Sequence, residues 1–496
     1  MGKKRELFDE SGNMRPVFLH EDHKKPSNRR EFLASGLLGF SGFMFTPSIL
    51  AVLAKPEFAM AADPSCAAVN AVSLPAFVNI NLSGGAAMGG NYLPLDAGGN
   101  LLPSYDVLGA GATPNTEMEF GKVLFSGFPT GSTRLGSQLL AGIRTAASAT
   151  TLANSSFLAA CAPLQDDSNT NQIDITGLVT KAGLQGALLP KLGTRESITG
   201  VSNMPCLVTP PAPLTVNGIA DVTNALSPSG NLFTQLTAPQ RLNLLRLVNN
   251  LSASQGRTIA SANSSSGTTL NKLVQCATDK NVVLANSTNP GVDPRVDTSS
   301  SAVSTLWGMG TGGQQFGRSQ NDRLVMGAMV YNALKGNAGA IGLEIGGYDY
   351  HGQDRIGTTD VMDNSAGQLI GKVLETAAAM QKKVFIHVTS DGAVGAQGGS
   401  TATDNFTGDR GAGNVSYMIM YDPAARPALK SATQYQLGCF NNSQGAVDST
   451  IAGSAVLAGT AAFANYLQFA GQIELYTQVT GNSSTDGTRD KLVKLA

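Results

Sequence analysis

The sequence predicts an α/β protein with a mostly parallel central sheet and helices on both faces. Apolar runs of strand length alternate with segments of helical spacing, which is typical of βαβ units. The clearest unit spans residues 340–391, where an apolar run (340–345) is followed by a helical segment and a second apolar run (384–388). Open α/β sheets place their ligand sites beyond the carboxyl ends of such strands. We therefore expect any site at the end of these two runs.

The remaining elements follow from the same patterns. Apolar runs predict a first strand at 77–82, another at 415–421 and a strand-like run at 473–479. Helical spacing predicts helices at 135–147, 321–335 and 451–470. Residues 166–197 are polar and indicate a loop, in which Asp166, Asp167 and Asp174 could hold Ca²⁺, although their spacing does not match a twelve-residue calcium loop.

Residues 210–300 indicate an insertion or a helical subdomain. The segment opens with Pro210, Pro211 and Pro213, carries leucines at helical spacing over 238–252, and is interrupted by a run rich in Ser and Asn at 261–268. We expect residues 62–496 to form one α/β domain that contains this helical or loop-rich insertion.

The N-terminus carries an export signal. Arg29 and Arg30 lie in the run SNRREFL, with a basic region before it and the apolar stretch 33–53 after it. This order is typical of a twin-arginine signal peptide, and Ala59-Met60-Ala61 offers a cleavage site. The apolar stretch is about long enough to span a membrane if it is not cut, but three glycines and a proline interrupt it. We predict a signal peptide over residues 1–61, the twin-arginine translocase as the export partner, a folded protein in the periplasm or outside the cell, and no stable membrane span after cleavage.

Composition narrows the function classes. The whole chain has 34 basic and 35 acidic residues, of which the leader holds nine and seven, so nothing favours nucleic acid as a partner. The leader also takes two of the four histidines, leaving His351 and His387, and a site of three histidines is excluded. Five cysteines, an odd number, lie beyond the leader in a compartment that permits disulfides.

Short polar motifs follow the predicted strands in a fixed order. Gly346-Gly347-Tyr348-Asp349-Tyr350-His351 comes after the first run of the central unit, Thr389-Ser390-Asp391 after the second, and Gly408-Asp409-Arg410-Gly411 precedes the run at 415–421. This order resembles a family of twin-arginine-exported bacterial proteins that is distantly similar to the alkaline phosphatase and sulfatase superfamily. The resemblance covers most of the mature chain and implies an alkaline phosphatase-like fold.

The resemblance also implies a metal site. Matching positions are Asp349, His351, Asp391 and Asp409, which would hold one divalent ion (Mg²⁺, Ca²⁺, Mn²⁺ or Zn²⁺), with Arg410 as a contact for an anionic substrate. The chain departs from the family pattern in several places. Asp391 stands for a Glu, and Gly392-Ala393-Val394 replaces the Phe-Gly-Arg that follows it in the family. The first turn has Ala86-Ala87-Met88 where the family carries an Asp, and Arg410 stands where the family has a His. A two-metal hydrolase depends on each ligand that fixes its ions.

Each candidate also has a structural interpretation. Asp349 and His351 could form a hydrogen-bonded pair that closes a turn, Asp391 and Asp409 could cap turns, and Arg410 could pair with either of them. His387 lies inside an apolar run, which favours a satisfied core histidine. Ser83 and Ser390 are nucleophile candidates by position alone.

Two functions remain open at this stage. In the first, the protein is a degenerate alkaline phosphatase/sulfatase-like protein that acts as a periplasmic or cell-surface binding or envelope component. In the second, it is a metal-dependent hydrolase of phosphate or sulfate esters. The missing Asp of the first turn and the Asp-Arg-Gly motif favour the first.

Overall fold

The computed structural model describes residues 75–103, 136–162, 173–182, 189–194, 214–221, 293–297, 300–353, 355–390, 414–431, 435–448, 453–483 and 486–496, with isolated positions between them. The predicted signal peptide, most of the segment 210–300 and residues 391–413 lie outside this part. Within it, no helix is both long enough and apolar enough to cross a membrane.

An eight-stranded sheet forms the centre of the described chain. The strands of the described part are β1 (Ala76–Leu82), β2 (Met118–Glu119), β3 (Leu124–Phe125), β4 (Ser155–Ala162), β5 (Leu189–Thr194), β6 (Leu214–Val216), β7 (Ala338–Ile345), β8 (Val384–Ser390), β9 (Asn414–Tyr421) and β10 (Gln436–Leu437). Those of the large sheet lie in the order β10-β4-β9-β8-β1-β7-β5-β6, and β2 and β3 pair in a separate two-stranded sheet. Strand β9 is antiparallel to β4 and β8, and the other neighbouring pairs of the large sheet are parallel. The predicted mostly parallel α/β sheet is therefore confirmed.

Helices flank this sheet. Every residue of β1, β8 and β9 is buried, so both faces of the central strands are covered. Tyr466 packs edge-on against Phe77 and Phe385 on one face, and the helices Gln320–Lys335 and Asp360–Ala379 also contact the central strands. The α-helices of the described part are α1 (Gln138–Ala146), α2 (Ala149–Ala153), α3 (Thr176–Ala182), α4 (Ser301–Leu306), α5 (Gln320–Lys335), α6 (Asp360–Ala379), α7 (Ala455–Phe469), α8 (Leu475–Thr480) and α9 (Asp486–Leu492).

Local chemistry sets the ends of the long helices. Ser319 caps α5 through a capping box with Asp322, and Gly336 ends it in the left-handed conformation. Helices α1 and α6 cross closely, since a Cβ on Gly367 would lie 2.1 Å from the Leu139 carbonyl oxygen. Glycine at this crossing allows the two backbones to touch.

Two sequence predictions about elements are wrong. The run at 473–479 is not a strand, because Leu475–Thr480 forms helix α8. The segment 166–197 is not only loop, because it contains α3 (Thr176–Ala182) and β5 (Leu189–Thr194). The described piece of the predicted insertion, Leu214–Val216, pairs with β5 as the outermost strand of the main sheet. The domain boundaries at 62 and at 210–300 remain predictions.

Candidate functional site

The ends of three parallel strands define the candidate site. Strand β1 lies between β7 and β8, and its last residue, Leu82, is level with Ile345 on β7 and with Ser390 on β8. Because the three strands run in the same direction, their carboxyl ends meet at one edge of the sheet, as the βαβ pattern predicts. The polar residues that follow these strands therefore lie near one another.

The turn after β1 and the loop after β7 are joined through their backbones. The Ser83 N–H donates to the Ile345 carbonyl at 3.0 Å, and the Tyr348 N–H donates to the Ser83 carbonyl at 3.0 Å. Gly84 has φ +116°, and a Cβ there would lie 2.7 Å from the backbone nitrogen of Asp349. Glycine is thus required both by the backbone conformation and by the close approach of the loop.

A ladder of polar side chains crosses this edge. The Ser83 hydroxyl donates to Oε1 of Glu344 on β7, and the Asn81 amide donates to the same oxygen at 3.1 Å. The Thr389 hydroxyl on β8 donates to the side-chain amide oxygen Oδ1 of Asn81 at 3.0 Å. Ser83 and Glu344 are half-buried, whereas Asn81 and Thr389 are buried. We call Ser83, Glu344, Asn81 and Thr389 the polar ladder.

The predicted pair Asp349 and His351 lies beside this ladder and is exposed. The Asp349 carboxylate accepts the backbone N–H of His351 at 3.0 Å, so the carboxylate closes the turn on its own backbone. Between them, Tyr350 is buried and donates its hydroxyl to the Asp363 carboxylate of α6. Buried and exposed side chains thus alternate along the loop: the Tyr350 side chain lies inside, and those of Asp349 and His351 are exposed to solvent.

The other predicted site residues are placed differently. Asp391, Asp409 and Arg410 lie outside the described residues, so their part in the site remains a prediction. The buried Ser390 hydroxyl donates to the Leu82 carbonyl at 2.9 Å and accepts the Ala86 N–H at 2.8 Å. Ser390 therefore holds the β1 turn in place.

The donor set of the described residues does not by itself fit a metal ion. Asp349 and His351 supply two donors, and nowhere in the described ranges do three His, Cys, Asp or Glu side chains come close enough to hold an ion. Asp174, one of the calcium candidates, is buried and accepts the Thr176 N–H at 2.9 Å and its hydroxyl at 2.6 Å, while Asp166 and Asp167 lie outside the described part. A metal at the sheet edge would need further ligands from residues outside the described part, such as the predicted Asp391 and Asp409.

His387 lies in the middle of β8 and is fully buried. Burial lowers the pKa of His387 to about 3, so the imidazole is neutral at ordinary pH. In the described chain neither ring nitrogen has a hydrogen-bond partner. The prediction of a core position is confirmed, and no described protein group satisfies the imidazole there.

A separate surface cavity lies around β10. Its volume is about 460 Å³, and carboxylates and ammonium groups line it together with a thiol. Burial lowers the pKa of Lys494. The pKa of the Cys439 thiol is raised, mainly by burial and to a smaller extent by the carboxylates of Asp448 and Asp96. Because side chains of both charges line this cavity, its charge favours neither an anionic nor a cationic ligand. Cys439 and Cys161 are free thiols in the structure.

Comparison of the chain with family models, with curated proteins and with solved structures finds no match. The site therefore rests on its own geometry. Sequence reasoning placed Thr389 in a polar motif at this edge but missed Glu344 and Asn81, although one signal pointed to Glu344. Glu344 is an acid inside the otherwise apolar run 340–345, and a charge in a buried strand is seldom retained without a partner.

Proposed function

We propose that this protein is an exported, degenerate member of the alkaline phosphatase and sulfatase superfamily. In this proposal it acts as a binding or envelope component in the periplasm or at the cell surface. The mostly parallel sheet, the order of the polar motifs after its strands and the twin-arginine leader support the proposal. The specific alkaline phosphatase arrangement is part of the proposal.

One observation carries the degenerate assignment. In the turn after β1, where the family pattern carries an Asp, this chain has Ala86, Ala87 and Met88, all of which are buried. The loop after β7 packs on this turn, and the Asp349 carboxylate accepts a backbone hydrogen bond within that loop. A two-metal centre requires ligands that hold two ions about 3.5–4 Å apart, and this turn contributes no carboxylate to such a centre.

The polar ladder suggests what kind of ligand the edge would take. Ser83 and Glu344 are half-buried, and Asp349 and His351 are exposed beside them. A hydroxyl, two carboxylates and an imidazole favour a ligand that offers hydrogen-bond donors, such as a polyhydroxylated or ammonium-bearing molecule. In this proposal the twin-arginine translocase is a partner during export only, and neither nucleic acid nor a membrane is a ligand.

A metal-dependent hydrolase of phosphate or sulfate esters is the second candidate. The pairing of the Ser83 hydroxyl with the Glu344 carboxylate favours it, because it places a hydroxyl beside a carboxylate at the ligand edge. This candidate needs one divalent ion held by Asp349, His351, Asp391 and Asp409, with Arg410 facing the anion. The metal content of the natively exported protein separates the two candidates.

A further inference from the structure

One face of the central sheet carries a cluster of buried polar atoms without hydrogen-bond partners. The cluster consists of both ring nitrogens of His387, the Asn79 side-chain nitrogen and the Ser416 hydroxyl, none of which has a partner in the described chain. All three side chains are fully buried. Because native interiors satisfy nearly all such groups, several of them together indicate a bound molecule.

The strand register brings these side chains together. Asn79 on β1 is the register partner of His387 on β8, so both point to the same face of the sheet. The register partner of His387 on β9 is Met418, and Ser416 lies two residues from Met418. Ser416 is therefore on the same face, nearer the carboxyl end of β8. Neighbouring strands lie about 4.8 Å apart, so one small molecule can reach side chains from adjacent strands.

Glycines occupy the two positions level with Asn79 on the next strands of the sheet, β7 and β5. The partner of Asn79 on β7 is Gly342, and the partner of Gly342 on β5 is Gly193. Both glycines are buried. These two glycines place no side-chain atoms beside Asn79, and this favours space for a bound molecule.

We infer that ordered water is bound in this cluster and bridges His387, Asn79 and Ser416. A neutral imidazole has one N–H donor and one acceptor nitrogen, and the free atom of Asn79 is a donor. A cation cannot accept from the amide or from the imidazole N–H, and a simple anion cannot donate to the acceptor nitrogen. Water does both, and buried waters make about three hydrogen bonds to groups of this kind.

The inferred water site continues the polar ladder into the core. The Thr389 hydroxyl lies 3.5 Å from the side-chain amide oxygen of Asn79 and donates to that of Asn81. The Asn81 amide and the half-buried Ser83 hydroxyl both donate to Glu344. Polar side chains therefore run from the solvent edge to the centre of β8. The inference stands on burial and register, and does not depend on the proposed function.

A high-resolution crystal structure of the mature protein tests the inference directly. We expect density for ordered water that bridges His387 to Asn79 and to Ser416 by hydrogen bonds. The inference is overturned if these atoms are met instead by a protein group or if the face is packed dry.

A double-mutant cycle provides a second test in solution. If His387 and Ser416 share water, the losses of melting temperature in His387→Phe and Ser416→Ala will not add in the double variant. His387→Phe combined with Thr480→Val on α8 is the control pair, for which we expect additive shifts. Additive shifts in both pairs would overturn the inference. If His387→Phe fails to fold, the parent crystal structure alone decides.

Discussion

The hydroxyl of Ser83 donates to the carboxylate of Glu344, which connects the end of β1 to the neighbouring strand β7 across 261 residues of sequence. The Asn81 amide donates to the same carboxylate oxygen at 3.1 Å, so one acidic side chain satisfies two groups at the centre of the sheet edge. This arrangement makes Glu344 structurally important whichever ligand the edge binds.

Glu344→Gln and Glu344→Ala should therefore differ. Gln keeps an acceptor oxygen for Ser83 and Asn81, and we expect it to lower the free energy of unfolding by less than about 1 kcal/mol. Ala leaves the buried Asn81 amide without that partner and should cost about 1–3 kcal/mol. Denaturant unfolding measures both, with the exposed Glu474→Ala as a control that should change little. Equal losses for Gln and Ala would contradict the assigned hydrogen bonds.

Gly84→Ala tests the contact between the β1 turn and the Asp349 loop. Alanine is strained at the positive φ of Gly84, and its Cβ would lie 2.7 Å from the backbone nitrogen of Asp349. Gly99→Ala is a matched control, since Gly99 has φ +79° but nothing within 4 Å of the added Cβ. We expect a loss of about 1 kcal/mol for the control and about 2–4 kcal/mol for Gly84→Ala in thermal or denaturant unfolding. Similar losses would mean that the loop does not pack on this turn.

His387 should make the protein sensitive to acid. Its pKa is lowered in the folded state from 6.5 to about 3, so the unfolded chain binds the proton first as the pH falls. The stability contributed by neutral His387 is complete above about pH 6.5 and is lost progressively toward pH 3, by up to about 5 kcal/mol. Unfolding at several pH values should show that His387→Leu loses less stability than the parent over this window.

A buried side chain that does not titrate provides the control for that experiment. Thr480→Val on α8 should retain the parent's dependence on pH. If His387→Leu and the parent lose the same amount of stability as the pH falls from 6.5 to 3, the imidazole is not buried in its neutral form.

Export should depend on the arginine pair. Replacing Arg29 and Arg30 by lysine preserves charge but removes the twin-arginine signal, and we expect the precursor to remain in the cytoplasm. Cell fractionation measures the distribution, and Arg15→Lys, which lies outside the motif, should export normally. Unchanged export of the double variant would contradict a twin-arginine route.

The central strands could be predicted because they are continuous apolar runs with turn residues at their ends. Strand β4 was missed because its sequence, SSFLAACA, is rich in small residues that do not favour a strand locally. Burial and pairing with β9 override this weak preference. Residues 473–479 were misread because a few alternating apolar residues fit one short helical turn equally well.

The site could be predicted only in part. Parallel βαβ logic placed the ends of β7 and β8 at one edge, with Asp349 and His351 there, but it did not place β1 between these two strands. The partnership of Ser83 with Glu344, and of Asn81 with Thr389, depends on which strands are neighbours and in which register. Neither property is encoded locally, since these residues lie about 260 to 310 positions apart.

The most direct test is elemental analysis of the mature protein after native export, alongside Asp349→Ala prepared in the same way. A binding or envelope component without a metal centre predicts a folded parent with well below one equivalent of any divalent metal, and no difference in the variant. One or two equivalents in the parent, lost in Asp349→Ala, would contradict that account. That result would support a metal-dependent ester hydrolase instead.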